Sequence, residues 1–285
     1  PVGEPTRPPS GVALASGAMS RRVWTEIVGE VVSLIRRGEV SKVVLARDLR
    51  VEADEPIDLR HLLARLIDRY PMTWTYLIDG MVGATPELLL RRQGGLVTSR
   101  VLAGTVWHDP KGSDPLLLAA ELARSSKDSA EHEFAVESVA QALAPYCAAM
   151  NVPEAPSVLK LPNVMHLATD ITGVALPGAS SVALAAALHP SAAVCGTPTH
   201  LAMDIISELE SMDRGRYAGP VGWIDTTGDG EWAIALRGGH VRPDTPNEIQ
   251  LFAGAGIVAD SDPAVELAET GAKFIPMLQA LGLEP

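Results

Sequence analysis

SRRVWTEIVGEVVSLIRRGEVSKVVLARDLRVE, residues 20–52, changes its apolar period once, and that change decides the fold class. Trp24, Val28, Val31 and Ile35 recur every three or four residues, so they share one helical face. Gly38 stands where a helix stops, and from Val40 the pattern is that of a long strand. The alternation continues outward from there. Asp58 caps a second helix through Leu59, Leu62, Leu63 and Leu66 that ends before Pro71. Residues 73–106 read as strands and turns, with Gly94-Gly95 as a hairpin between ELLLRR and LVTSRV. Helices are expected at 115–124, 128–150, 180–188 and 199–211, and strands within 157–175. YAGPVGWID, EWAIALRGGHV and IQLFAGAGIV read as strands, with a DTTGDG turn after the first. Asp262-Pro263 opens a closing helix to about Leu281. The class is α/β (α+β). Residues 1–20, rich in Pro, Gly, Ser and Ala, read as a leader or linker, and 21–285 as one large unit.

Composition narrows the function. The chain has 285 residues, 47% hydrophobic and 20% charged, enough for a sizeable core. Its net charge of −12 argues against nucleic acid or an anionic membrane as partner, since both need a basic face. No stretch reaches the roughly 18 apolar residues of a membrane span. The opening PVGEPTRPPSG lacks the basic-then-apolar order of a signal peptide. Cys147 and Cys195 lie far apart, which is neither a disulfide framework nor a zinc signature. A soluble, reducing, cytoplasmic setting is expected.

Several constellations are able to carry chemistry. Asp128 and Glu131 form one acid pair at i,i+3, and Glu266 and Glu269 another. Each pair shares a helix face, and four carboxylates meeting from two helices would suit a hard cation such as Mg²⁺. Solvated helix faces are the commoner explanation. Lys42 alternates with Val44 and Ala46, as an edge-strand gatekeeper or as a buried amine whose lowered pKa suits a general base. Glu87, after Pro86, is either a surface acid at a strand start or a proton donor in a cleft. Arg237 ends the apolar EWAIALR, where it either meets solvent or grips a carboxylate. Gly238-Gly239 after it predict a loosened strand end. Gly254, Ala255 and Gly256 read as a close backbone approach to an anion or as a β-bulge. His166 reads as a core histidine and Cys195 as a small buried residue.

Taken in order, KVVLARDL, GATPELLL, VLAGT, SSKDSAEHEF, LPNVMHLATDITG, LHPSAAVCGTP, GRYAGPVGWID, IALRGG and LFAGAGIVADSDPAVELAET cover nearly the whole chain from about residue 21. This series resembles the chorismate-binding enzymes, which include isochorismate, salicylate, anthranilate and aminodeoxychorismate synthases. The resemblance implies a single large fold of mostly antiparallel sheets packed with helices, and Mg²⁺-dependent chemistry on chorismate. It makes Lys42 the base that activates water for attack at C2, and Glu87 the acid that protonates the departing C4 hydroxyl. Glu131 and Glu269 would bind Mg²⁺, supported by Asp128 and Glu266. Arg237, Tyr217, Lys273 and the backbone at Gly254, Ala255 and Gly256 match positions that hold substrate carboxylates. His166, Gly104 and Thr105 match positions lining the ring site.

Within the family, Ala103 stands where lysine-dependent aminodeoxychorismate synthases carry Lys, which argues against that activity. LHPSAAVCGTP is more similar to the isochorismate synthase form of its loop than to the anthranilate form. Isochorismate synthesis is therefore expected, with salicylate synthesis and a non-catalytic chorismate-binding relative as alternatives. Either a menaquinone or a siderophore pathway would use the product. A monomer without a glutamine amidotransferase partner is expected. Members of the family usually carry a substantial region before the helix leading to KVVLAR, and here about 20 residues precede it.

Overall fold

In the computed structural model, residues 5–107, 114–160 and 164–283 are described, with positions 104, 105, 107, 115, 126–128, 131 and 164 in backbone alone. After a short strand β1 (Ala13–Ala15), the first change of period becomes a helix α1 (Arg21–Arg36) and a strand β2 (Lys42–Glu52). The apolar face of α1 buries Trp24, Val28, Val31, Val32 and Ile35. Its first turn is capped by Ser20, which accepts from the Val23 N–H. Helix α2 (Leu59–Arg69) starts at its Asp58 cap. Strands β3 (Trp74–Ile78), β4 (Met81–Thr85), β5 (Leu88–Gln93) and β6 (Leu96–Trp107) follow. Gly94 and Gly95, both at positive φ, make the expected tight hairpin between β5 and β6.

Helices α3 (Pro115–Arg124) and α4 (Ser126–Leu143) lead to β7 (Cys147–Asn151), β8 (Ser157–Lys160) and β9 (Val164–Ala175). Then come α5 (Ser181–Leu188), β10 (Gly196–Thr197), α6 (Thr199–Leu209), β11 (Pro220–Ile224), β12 (Gly230–Ile234), β13 (Gly238–Val241) and β14 (Glu248–Ile257). Helices α7 (Pro263–Lys273) and α8 (Ile275–Ala280) complete the order.

Three expectations need correction. The helix expected over 128–150 stops at Leu143, Pro145 sits in a 3-10 turn, and β7 begins at Cys147. The closing helix breaks at Phe274 into α7 and α8. Pro276 explains the break, since it has no N–H to continue the ladder and crowds the preceding turn. EWAIALRGGHV is not one strand but two, β12 and β13, separated by 235–237. In the stretch read as a leader, β1 pairs with the far end of β2, and Met19 is buried.

Every pairing among the described residues is antiparallel. One sheet runs β1-β2-β14-β13-β4-β3 with β10 added to β2, and the other runs β11-β12-β5-β6-β9-β7 with β8 added to β9. On the first sheet, Val43 and Leu45 of β2 and Ala255 and Ile257 of β14 pack with α1 and α6. The opposite residues, Ala46 and Phe252, join the cluster that α4 and α5 make with Leu90, Val101 and Ile171 of the second sheet. Alternation thus gives β2 and β14 an outer face for helices and an inner face towards the second sheet. The chain crosses between the sheets at Pro86-Glu87, from β4 to β5, and again at 235–237, from β12 to β13. Backbone hydrogen bonds tie these crossings together, Ile234 N–H to Glu87 O at 3.2 Å and Ala84 N–H to Arg237 O at 3.3 Å.

Candidate active site

The two crossings open on one cavity, lined from both sheets. Val44, Ala46, Phe252, Gly254 and Gly256 come from the inner face of the first sheet, and Leu102, Ala103 and His166 from the second. Glu87, Arg214, Tyr217, Arg237 and Lys273 supply its polar groups.

Glu87 and Arg237 are buried, at 7% and 9% exposure, which corrects the surface reading of both. Arg237 does not end a strand. It stands in the crossing at φ +52°, a left-handed conformation that costs a residue with a Cβ about 1–2 kcal/mol. Burial pushes its pKa down, and Glu269, Tyr217, Tyr70 and Glu87 oppose that fall. One guanidinium nitrogen lies 3.0 Å from His166 Nε2. Arginine only donates, so His166 Nε2 accepts, which requires the tautomer with its proton on Nδ1. The core histidine of the sequence reading therefore orients the cavity's arginine. Gly238 and Gly239 do not loosen the chain: Gly238 pairs with Gly83, and Gly239 with Val82 and Leu251.

Tyr217 stacks on Phe252, with ring centroids 5.0 Å apart, and burial pushes its phenol up to about 12, so it stays a neutral donor. Gly254, Ala255 and Gly256 pair with Ala46, Leu45 and Val44 in unbroken register, which removes the bulge reading. A side chain at Gly254 would crowd the Leu45 carbonyl and the Tyr217 hydroxyl. On α7, Lys273 donates to Gly254 O at 2.8 Å and to Glu269 at 2.6 Å. The four-residue spacing thus puts cation and acid on one helix face.

Glu266 and Glu269 are buried, not solvated, which overturns the surface reading for this pair. The side chains of Asp128 and Glu131, and the surroundings of Gly104 and Thr105, lie outside the described residues. Next to Glu131 on α4, His132 is buried against β9, its Nε2 2.7 Å from Thr169 Oγ1. Lys42 is wholly buried at 0% exposure, and its strand is flanked by β10 and β14, so it is no solvent-facing gatekeeper. It stands one alternation step beyond Val44 and is not among the side chains lining the cavity. Cys195 is buried, as expected, and burial raises its thiol pKa.

Sequence reading missed Glu210 and Arg214. Arg214 grips Glu210 twice, at 2.8 and 2.5 Å, and donates to Val44 O at 2.7 Å. Glu210 in turn accepts from the Ala46 N–H at 2.7 Å. The pair continues the edge of β2 where β10 leaves off, holding the cavity wall in place. Burial opposes the Arg214 charge, but Glu210 more than compensates and raises its pKa. The four-residue spacing of acid and base was the available signal.

Set at the junction of two antiparallel sheets, the cavity presents one acid, one neutral phenol and three cations, Arg214, Arg237 and Lys273, a lining suited to a small anionic ligand. The chain belongs to the family described as chorismate binding enzyme, whose profile matches residues 4–282. It is 42% identical over 265 residues to isochorismate synthase DhbC of Bacillus subtilis (strain 168), covering 88% of this chain and 65% of that protein. Among solved structures it is similar to MenF, the menaquinone-specific isochorismate synthase from Escherichia coli, with TM-score 0.86 and 29% identity over 98% of this chain and 65% of that one. It also resembles anthranilate synthase component I from Streptococcus pneumoniae TIGR4, with TM-score 0.82 and 28% identity over 95% of this chain and 60% of that one. The chain therefore spans about two thirds, or less, of the length of these relatives.

Proposed function

We propose that this chain converts chorismate to isochorismate. The observation that carries the reading is the pair of crossings that set Glu87 and Arg237, far apart in sequence, on one cavity. The names of its isochorismate synthase relatives support it, and the shared fold of an anthranilate synthase explains why fold alone would not choose the reaction. Arg237, Tyr217 and Lys273 would hold the substrate's two carboxylates, with Gly254–Gly256 allowing close approach. Lys42, on the same face of β2 as the lining residues Val44 and Ala46, would take a proton from water as its oxygen bonds C2. The double bond then shifts, and Glu87 would protonate the C4 hydroxyl, which leaves as water. The product would be an isomer of the substrate, with one hydroxyl and the ring double bonds moved, so the reaction would be reversible and stop short of completion.

Two buried carboxylates one turn apart on α7, Glu266 and Glu269, are hard oxygen donors of the kind Mg²⁺ takes. Glu269 with Glu131 would ligate the ion, and Asp128 and Glu266 would support it. Held there, Mg²⁺ would supply positive charge to offset that of the substrate. Glu131→Ala and Glu269→Ala are each expected to weaken the rise in melting temperature that Mg²⁺ gives. Unchanged Mg²⁺ titrations in both variants would remove the metal assignment.

The deciding experiment incubates the chain with chorismate, with and without Mg²⁺, and separates products by liquid chromatography. A mixture of chorismate and isochorismate is expected. Salicylate with pyruvate would move the chain to salicylate synthesis, and no turnover would overturn the reading.

A further inference from the structure

Tyr76 on β3, Gly83 on β4 and Gly238 on β13 stand in one row across three strands, Tyr76 paired with Gly83 and Gly83 with Gly238. Residues paired in register point to the same face, so the two glycines leave a lane beside the tyrosine. The Tyr76 side chain fills it: a Cβ at either glycine would overlap the Tyr76 hydroxyl. Along this lane the hydroxyl reaches Leu236 and donates to its carbonyl at 3.0 Å. Leu236 immediately precedes Arg237, which holds φ +52°. On the other side, the Arg237 carbonyl accepts from Ala84 N–H at 3.3 Å. Both peptides flanking the disfavoured conformation are thus held by β3 and β4.

We propose that Tyr76 is a positioning residue for Arg237: its hydroxyl locks the Leu236 carbonyl, and that fixes the left-handed turn which aims the guanidinium into the cavity. The consequence for turnover rests on the chorismate reading above. The lock itself does not. Burial raises the Tyr76 pKa far above its ordinary value, so the phenol remains a donor throughout the working pH range. The ring also packs with Met81 and Ala235, a filling role that phenylalanine would keep.

Tyr76→Phe therefore isolates the hydroxyl. The first measurement needs no substrate: two-dimensional ¹H–¹⁵N NMR of the His166 imidazole. In the wild type, His166 is expected as the Nδ1–H tautomer that the Arg237 contact imposes. In Tyr76→Phe a mixture with the Nε2–H tautomer is expected. The second is kinetic: KM for chorismate rises about tenfold with kcat within about threefold, the pattern of a lost binding group. In an Arg237→Ala background the same substitution is expected to leave KM unchanged. A wild-type tautomer in Tyr76→Phe overturns the inference, as does an equal KM effect with and without Arg237. A wild type that does not turn over chorismate defeats the proposed reaction, and the tautomer still decides the lock. Should Tyr76→Phe fail to fold, Gly83→Ala, which pushes the hydroxyl off Leu236, is expected to give the same tautomer change.

Discussion

Glu87 and Lys42 are buried groups to which the proposed reaction gives opposite tasks, one to give a proton and one to take it, and each task has its own signature. Glu87→Gln keeps size and leaves both backbone contacts at this crossing intact, because they are made by the Glu87 N–H and carbonyl. It is expected to lower kcat by about 10²–10⁴, the usual worth of a general acid, with chorismate affinity nearly unchanged. Initial rates and equilibrium binding check this, and a variant with normal kcat would release Glu87 from the acid role. Lys42→Ala removes the amine from a position at 0% exposure. Turnover is expected to vanish while circular dichroism and cooperative melting persist. Activity within about tenfold of wild type would leave Lys42 outside the proton transfer, since a positioned base contributes more than that.

The helices show how local rules carried most of the architecture. Asp58 accepts from the Arg60 N–H at 3.0 Å and pairs with the Arg60 guanidinium at 2.9 and 2.8 Å, so its pKa falls to about 2. Asp58→Ala is expected to cost about 1 kcal/mol at pH 7, the usual worth of such a cap. The folded pKa is depressed, so this contribution is complete above the unfolded carboxyl's value and is lost as pH falls towards about 2. Urea unfolding at pH 7, 5 and 3 should show an equal gap at the first two and a narrower one at the third; a gap that widens with acid contradicts the sign. Asp58, Asp262-Pro263 and Gly94-Gly95 were legible because each solves a backbone problem within a few residues. The division of EWAIALRGGHV was not, because Ala235 and Leu236 remain apolar while the chain passes from one sheet to the other. Burial of Glu87, Glu266 and Arg237 was likewise invisible to spacing, since it is set by strands distant in sequence. The end of α4 carried a visible signal in Pro145, but the apolar residues on either side concealed it.

At the scale of the whole molecule, charge opposes delivery of the proposed substrate. The chain carries −12, and chorismate is a dianion, so the long-range field repels it. Capture is left to the few cations that the fold places in the cavity: Arg237 at the crossing, Arg214, which Glu210 already holds, and Lys273 on α7, anchored by Glu269 and Gly254. Long-range repulsion and short-range attraction respond differently to salt. Raising ionic strength from about 0.01 to 0.15 M shortens the screening length from roughly 30 to 8 Å. This suppresses the field of the distant acids, while contacts inside the cavity are screened much less. At fixed Mg²⁺ activity, kcat/KM for chorismate is expected to stay level or rise across this range. Arg237→Ala should lower it throughout without changing its slope. A steep fall with salt in the wild type would show that a basic funnel steers the substrate, and that capture begins well outside the cavity rather than at Arg237.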